Sequence, residues 1–419
     1  MTTPEIHRAI AAVWRIESPR LIAGVARMVR DVGVAEDLAQ DALLAALEKW
    51  TSVPDNPGAW LMAVAKRRAI DHLRRDRRLE AKHEQLGREL DAFRAADTPD
   101  PHEALDDDVG DDLLRLIFTA CHPVLPAEQR VALTLRVVGG LTTEEIARAF
   151  LVPVPTVAQR IVRAKKALAD AGVPYEVPRG ADRDARVASV LEVIYLIFNE
   201  GYSATAGDDW MRPALAEDAL RIGRVLAGLA PEEPEVHGLV ALMELQASRF
   251  GARTGPGGEP ILLLDQDRGR WDRLLIRRGL AALDRAAELG GALGPFALQA
   301  GIAACHARAR TAEETDWGRI AALYGVLAQV VPSPVVEVNR AVAVGMAEGP
   351  AAGLALVDAL VGEKKLEGYY PLPAVRGDLL QKAGRLAEAR EEFERAAALT
   401  RNERERAVLL GRAAECGPA

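Results

Sequence analysis

Leu141-Thr-Thr-Glu-Glu-Ile-Ala-Arg-Ala-Phe150, continued by Leu-Val-Pro-Val-Pro-Thr156 and a run to Leu168, is the stretch on which the reading turns. Thr142 followed by Glu145 is a capping box, in which each side chain accepts a hydrogen bond from the other residue's backbone N–H. Leu141 and Ile146 stand at hydrophobic-staple positions around it, so a helix begins here. Pro153 and Pro155 end that helix and open a second, because proline fits a first turn but breaks a helix interior. In the second helix Val157, Ile161, Ala164 and Leu168 recur at four, three and four residues and define a buried face. The other face presents Thr156, Gln159, Arg160 and Arg163, with Lys165 and Lys166 beyond. Two short helices, the second aliphatic inside and basic outside, make the geometry that enters a major groove. Arg and Gln can read base edges there, and Lys neutralises phosphate. An ordinary αα-hairpin with a solvated basic face has the same pattern, so a second signal is required.

That signal lies upstream, in Asn56-Pro-Gly-Ala-Trp-Leu-Met-Ala-Val-Ala-Lys-Arg-Arg-Ala-Ile-Asp-His-Leu-Arg-Arg-Asp-Arg-Arg78. Leu61, Val64, Ala65, Ala69 and Leu73 give an inward stripe. Lys66, Arg67, Arg68, Arg74, Arg75, Arg77 and Arg78 crowd cations onto the same helix, opposed only by Asp71 and Asp76. A positive helix with Trp60 near its start suits single-stranded nucleic acid: cations hold phosphates, and an aromatic ring stacks on or wedges beside an unpaired base. Trp60 alone fits a core position equally well.

Composition frames these signals. Aromatics are 5% of a chain that is 49% hydrophobic, and Ala, Leu, Arg and Glu recur throughout, which favours helices packed through small and aliphatic side chains. The expected fold class is all-α, in more than one domain given 419 residues. The net charge of -8 does not exclude nucleic acid, because a global sum hides fields that act within a Debye length of about 8 Å. Cys121, Cys305 and Cys416 form no disulfide framework, and Cys121-His122 lacks a second spaced ligand pair, so a buried thiol in a cytoplasmic protein is expected, with no metal and no cofactor. No apolar run reaches the roughly 18 residues of a membrane span, and the N-terminus lacks the apolar segment of a signal peptide, so no membrane partner is expected.

The boundaries follow the punctuation. Residues 1–79 read as one helical module of about four helices, broken at Ser18-Pro19, at Gly33 and in the loop 51–58. Residues 80–112 carry twelve acidic side chains against Lys82, Arg88 and Arg94 and read as a flexible acidic linker. Residues 113–172 hold the helix-turn-helix, and a Gly/Pro stretch at 172–180 separates it from a helical region over 181–419. Near the end Gly377, Ala389, Phe393 and Ala396 have the spacing of a TPR unit, echoed upstream by Ala352, Leu356 and Ala359, which suggests a TPR-like solenoid or irregular helical domain.

In this order the motifs resemble the extracytoplasmic-function sigma factors over about residues 5–171. Ala35-Glu-Asp-Leu-Ala-Gln-Asp-Ala-Leu-Leu is similar to sigma region two point two, which implies that Glu36, Asp37, Gln40 and Asp41 contact core RNA polymerase. Residues 56–75 resemble regions two point three and two point four, which melt and read the minus-ten element; Trp60, Lys66, Arg67, Arg68, Arg74 and Arg75 would then hold the melted non-template strand. Residues 141–168 resemble region four point two, which implies duplex promoter contacts from Thr156, Gln159, Arg160, Arg163 and Lys166. Two departures stand out: many relatives carry Asn in place of Arg67 and Gly in place of Leu151, so base preference does not transfer and the turn is expected to be reshaped. The linker fits either a polyanion in the RNA path of the polymerase or a plain tether. Residues 194–202 and 335–343 are similar to the C-terminal extension of one sigma subgroup with TPR-like repeats, and they read equally well as helix cores.

The resemblance implies promoter recognition and transcription initiation, with the extension regulating in cis or taking a peptide or protein on a concave face. A one-component regulator with a helical sensor domain explains residues 141–168 and the extension, but leaves residues 35–78 without a role. An enzyme is disfavoured: Asp208, Asp209, His237 and Glu244 are the candidate acid–base groups, and no nucleophile, phosphate loop or metal motif accompanies them.

Overall fold

A computed structural model describes residues 3–87, 109–204 and 210–417. Among them every extended regular element is a helix, and the only β-type pairing is an isolated bridge between Thr254 and Pro260. The expected all-α class is what is found. Two compact units result, residues 1–193 and 194–419.

The first unit begins with α1 (Thr3–Val29), α2 (Val32–Lys49) and α3 (Pro57–Gly87). Three helices stand where four were expected, because α1 runs through Pro19 without a break. An interior proline costs about 3 kcal/mol. Ile10, Leu21, Ile22 and Val25 share one continuous buried face of α1, and the burial of such side chains at about 1.5–3 kcal/mol each outweighs that cost. Asp31 caps α2 by accepting from the Val34 amide at 2.9 Å. The stripe read from the sequence packs inward, with Leu61, Ala65 and Ala69 buried.

The helix-turn-helix portion follows as α4 (Val109–Ala120), α5 (Ala127–Val137), α6 (Thr143–Ala149) and α7 (Val154–Asp170). Asp111 and Asp112, placed in the linker by their charge, instead form the first turn of α4, where carboxylates favour the helix dipole. Residues 88–108 of that linker lie outside the described residues. Helix α8 (Ala181–Tyr202) starts beyond the Gly/Pro stretch, and its first turns seal α4 and α5. Ser189 Oγ donates to the Cys121 carbonyl at 2.6 Å, Arg186 donates to the Phe118 carbonyl at 2.9 Å, and Arg130 pairs with Glu192 at 2.9 Å. Cys121 is a buried thiol in contact with Thr134 Oγ1 at 3.2 Å, and burial pushes its pKa up to about 12.

In the second unit, helices adjacent in sequence pack together: α10 (Pro234–Ala247) with α11 (Arg273–Glu288) and α12 (Pro295–Arg308), α14 (Pro334–Glu348) with α15 (Pro350–Asp358), and α16 (Pro371–Lys382) with α17 (Leu386–Leu399). Small residues set the closest approaches. A Cβ on Gly377 would stand 2.9 Å from the Phe393 ring and 3.2 Å from the Ala389 carbonyl oxygen. Ala389, Phe393 and Ala396 are fully buried, as their spacing suggested. The upstream echo is met only in part: Leu356 packs against the core and Ala352 is half-buried, while Gly353, Leu354 and Val357 are the buried residues and Ala359 is exposed at the end of α15. Backbone contact decides this, since a Cβ on Gly353 would meet the Ala341 carbonyl at 2.7 Å, so glycine faces α14.

Candidate nucleic-acid interface

The capping box forms as written: Thr142 Oγ1 accepts from the Glu145 amide at 3.1 Å, and Glu145 Oε2 accepts from the Thr142 amide at 2.7 Å. Leu141 and Ile146 are both buried beside it. Leu151, where many similar sequences have glycine, has φ 50°, in the left-handed region that L side chains rarely adopt. The turn therefore keeps the conformation a glycine would take, and leucine holds it under strain with its side chain half exposed.

On α7 the four stripe residues Val157, Ile161, Ala164 and Leu168 are buried. Gln159, Arg163 and Lys166 are exposed, and Thr156 is partly so. Arg160 is drawn aside: its guanidinium pairs with Glu128 at 2.5 Å. A DNA contact from Arg160 would first have to release that carboxylate. On α3, Arg67, Arg74 and Arg75 are exposed, and Lys66 is partly so. Arg68 pairs with Asp41 at 2.7 Å, so one residue assigned to DNA neutralises one assigned to polymerase. Trp60 is half buried with its ring edge on Trp50, the centroids 5.3 Å apart. Trp60 is therefore partly a packing residue, with the rest of its surface accessible.

The four α2 residues divide. Asp37 is exposed, and Gln40 and Asp41 are partly so. Glu36 is only 3% exposed and is enclosed by the helix-turn-helix portion. Arg136 Nε stands 2.6 Å from Glu36 Oε1 and Lys165 Nζ 2.7 Å from Oε2, while Gln40 Nε2 donates to Oε1 at 2.7 Å. Lys165 also approaches Asp37 at 3.6 Å. The expectation of an open polymerase-facing carboxylate at Glu36 is thus corrected: in this arrangement it is a buried ion-pair centre between the two modules. Burial pushes its carboxyl up, but Lys165 and Arg136 together outweigh burial and hold it below the usual range.

Further contacts fix the same packing. Arg27 of α1 reaches Asp112 of α4 at 3.3 Å, and the Tyr175 hydroxyl bridges the carbonyls of Ala23 and Asp112 at 3.0 and 2.9 Å. A Cβ on Gly140 would meet the Arg15 carbonyl at 3.0 Å, so the loop before α6 lies directly on α1. Sequence reading missed Arg136 and Tyr175 because the partners lie 100 and 152 positions away. Arg136, set among the aliphatic residues of the second half of α5, was the one available hint.

Of the acid–base candidates, Asp208 and Asp209 lie outside the described residues. His237 Nε2 is 2.9 Å from the Pro231 carbonyl, and buried Glu244 is paired with Arg224 at 2.8 Å. Among the described residues neither has the neighbours of a proton-transfer centre.

Residues 14–79 match the model for sigma-70 region 2, residues 115–168 that for sigma-70 region 4, and residues 186–287 a family of unknown function, DUF6596. An uncharacterized protein of Rhizobium meliloti (strain 1021) is 45% identical over 93% of this chain and 92% of its own. The probable ECF RNA polymerase sigma factor SigI of Mycobacterium tuberculosis is 28% identical over 41% of this chain, and the match spans 58% of that protein's length. The ECF RNA polymerase sigma factor SigK of Mycobacterium bovis is 28% identical over 38% of this chain and 83% of its own. No solved structure matches the chain.

Proposed function

We propose that this chain, which carries sigma-70 regions 2 and 4 and resembles ECF sigma factors over that part, acts in transcription initiation and divides the work among its helices as follows. Helix α2 docks on core RNA polymerase through Asp37, Gln40 and Asp41, joined by Glu36 once the modules part. Helix α3 takes the melted non-template strand along Lys66, Arg67, Arg68, Arg74 and Arg75, with the accessible part of Trp60 against an unpaired base. Helix α7 reads duplex DNA through Thr156, Gln159, Arg163 and Lys166, and through Arg160 when it leaves Glu128. Unstacking a base costs a few kcal/mol, and contacts in a pocket offset that only for the right base, so selectivity arises partly from melting.

The observation that carries this reading is that two basic helices, α3 and α7, expose cations outward while their aliphatic stripes are buried in the same unit. Closed packing around Glu36 adds a step: the free protein exists mainly with its modules together, and polymerase binds the population in which they are apart. The C-terminal helices, which we read as a TPR-like regulator acting in cis, would shift that population.

Run-off transcription with purified core polymerase tests the assignment. Core enzyme with this protein should start at discrete promoters, and Arg163→Ala should lose selection at the upstream element, at about 1–3 kcal/mol for a base contact. Operator binding without stable association to core polymerase would instead favour the one-component regulator.

A further inference from the structure

The second unit holds a pair of neighbouring arginines, Arg253 buried and Arg249 half-buried, that promoter recognition does not use. Arg249 and Arg253 flank the short 3-10 turn Phe250–Ala252. Arg253 is 6% exposed, and its guanidinium carbon lies 3.5 Å from the centroid of the Tyr202 ring and 4.3 Å from that of Trp210. Its plane is therefore clamped between two aromatic faces. Nη1 donates to the Tyr202 carbonyl at 2.6 Å. Arg249 lies over Tyr202 and Trp271, at 5.6 and 5.8 Å from their centroids, and donates to Gln246 Oε1 at 2.6 Å and to the Tyr202 hydroxyl. The hydrogen bonds of this pair thus end on a carbonyl, an amide and a hydroxyl, with no carboxylate among the described residues.

Two neighbouring cations in a medium of low dielectric are costly without a counter-charge. Burial pushes the Arg253 guanidinium down to about 10; Tyr202 opposes that effect, Arg249 adds to it, and Glu405 on the cavity wall opposes it from beyond hydrogen-bond reach. Both arginines line a cavity of about 360 Å³, within the range of small-molecule sites. Its wall also contains Trp210 and Gln266, whose buried Nε1 and Oε1 have no protein partner. Of the other charges on the wall, Glu405 partly offsets Arg253 but makes its hydrogen bonds to Tyr370 and to Thr400 Oγ1, the latter at 3.0 Å, and Arg412 donates to Asp378 at 2.6 Å. Leu263, Tyr370 and Val408 supply an apolar side.

We infer that this cavity is a binding site for a small organic carboxylate with an aromatic or other apolar body, its carboxylate against Arg249 and Arg253 and its body against Leu263, Tyr370 and Val408. A planar carboxylate matches the fork of a guanidinium whose orientation is already fixed, so little entropy is lost on binding. The orphan Trp210 N–H and Gln266 amide oxygen are placed to meet polar groups of the ligand.

The test uses the full chain, followed by tryptophan fluorescence and thermal shift at constant ionic strength, with three probes: 4-hydroxyphenylacetate, its neutral amide, and inorganic phosphate. Saturable binding of the carboxylate is expected, with the amide and phosphate at least tenfold weaker. Arg249→Gln should weaken the carboxylate at least tenfold while leaving the helical circular-dichroism spectrum unchanged, and Arg253→Gln should do the same if it folds. Arg249→Gln alone decides if it does not. Absence of saturable carboxylate binding, equal binding of the amide or of phosphate, or an unaffected Arg249→Gln variant would each overturn the inference. The readout is binding alone, so failure here leaves the sigma-factor assignment untouched.

Discussion

Lys165→Met should open the two promoter-reading modules without unfolding either. The ammonium stands 2.7 Å from a Glu36 carboxylate that is 3% exposed, while the lysine side chain keeps 20% of its own exposure. Removing the only partner of a buried charge costs about 3–5 kcal/mol. Because Arg136 remains paired with Glu36, the loss of this one contact costs about 1.5–3 kcal/mol. Arg136 and Gln40 still hold Oε1, so Glu36 keeps a counter-charge although Oε2 loses its own. At 1.4 kcal/mol per tenfold, the balance between closed and open forms should move about 10- to 100-fold toward open. Because apparent affinity scales with the competent fraction, core polymerase should bind the variant more tightly by a similar factor for as long as the open form remains the minor one. Hydrogen exchange over α2, read beside a polymerase titration, measures both effects. Lys166→Met is the control, since Lys166 is exposed and neighbours the same position on α7. If Lys165→Met matched that control in α2 exchange and in polymerase affinity, closed packing would not limit binding and the reasoning would fail.

Three further outcomes follow from particular contacts. Since the Glu36 pKa is lowered on folding, its contribution is fully present above the ordinary value of 4.5 and is lost as pH falls through the lower folded value. Relative to the intrinsic rate, which itself slows with acidity, protection over α2 should therefore fall below pH 4.5 in the native protein, and Glu36→Gln should show reduced protection already at pH 7. Leu151→Gly should relieve the left-handed strain of about 1–2 kcal/mol, less the extra chain entropy of glycine, and so raise the unfolding midpoint; a lower midpoint would show that the exposed leucine makes a contact that matters more. Gly377→Ala should lower thermal stability by about 1–3 kcal/mol, because the new methyl meets the Phe393 ring at 2.9 Å and Phe393 is fully buried; an unchanged melting curve would mean that α16 and α17 separate freely.

Local rules carried the reading as far as local rules reach. The capping box at Thr142, the aliphatic stripes of α3 and α7, the outward cations, and the glycine facing Phe393 were legible in the sequence, because each depends on residues within one or two helical turns or one hairpin. A periodicity of 3.6 says which face is buried, and Leu151 in place of glycine already marked the turn as unusual. Pro19 was misread as a break because a local cost of about 3 kcal/mol was visible, while the long buried face that overrides it was not. Asp111 and Asp112 were assigned to a linker by charge, yet the helix N-terminus they occupy stabilises that charge. Only the tertiary structure decided the fate of Glu36. Its sequence neighbours mark it as a polar residue on a helix surface, but Arg136 and Lys165 arrive from 100 and 129 positions away and turn that surface into an interior. The pairing of Arg68 with Asp41, the diversion of Arg160 to Glu128, and the clamping of Arg253 between Tyr202 and Trp210 have the same origin. Helical periodicity fixes which way a side chain points, whereas the group it meets depends on which distant helix packs there, and one chain of letters does not encode that locally.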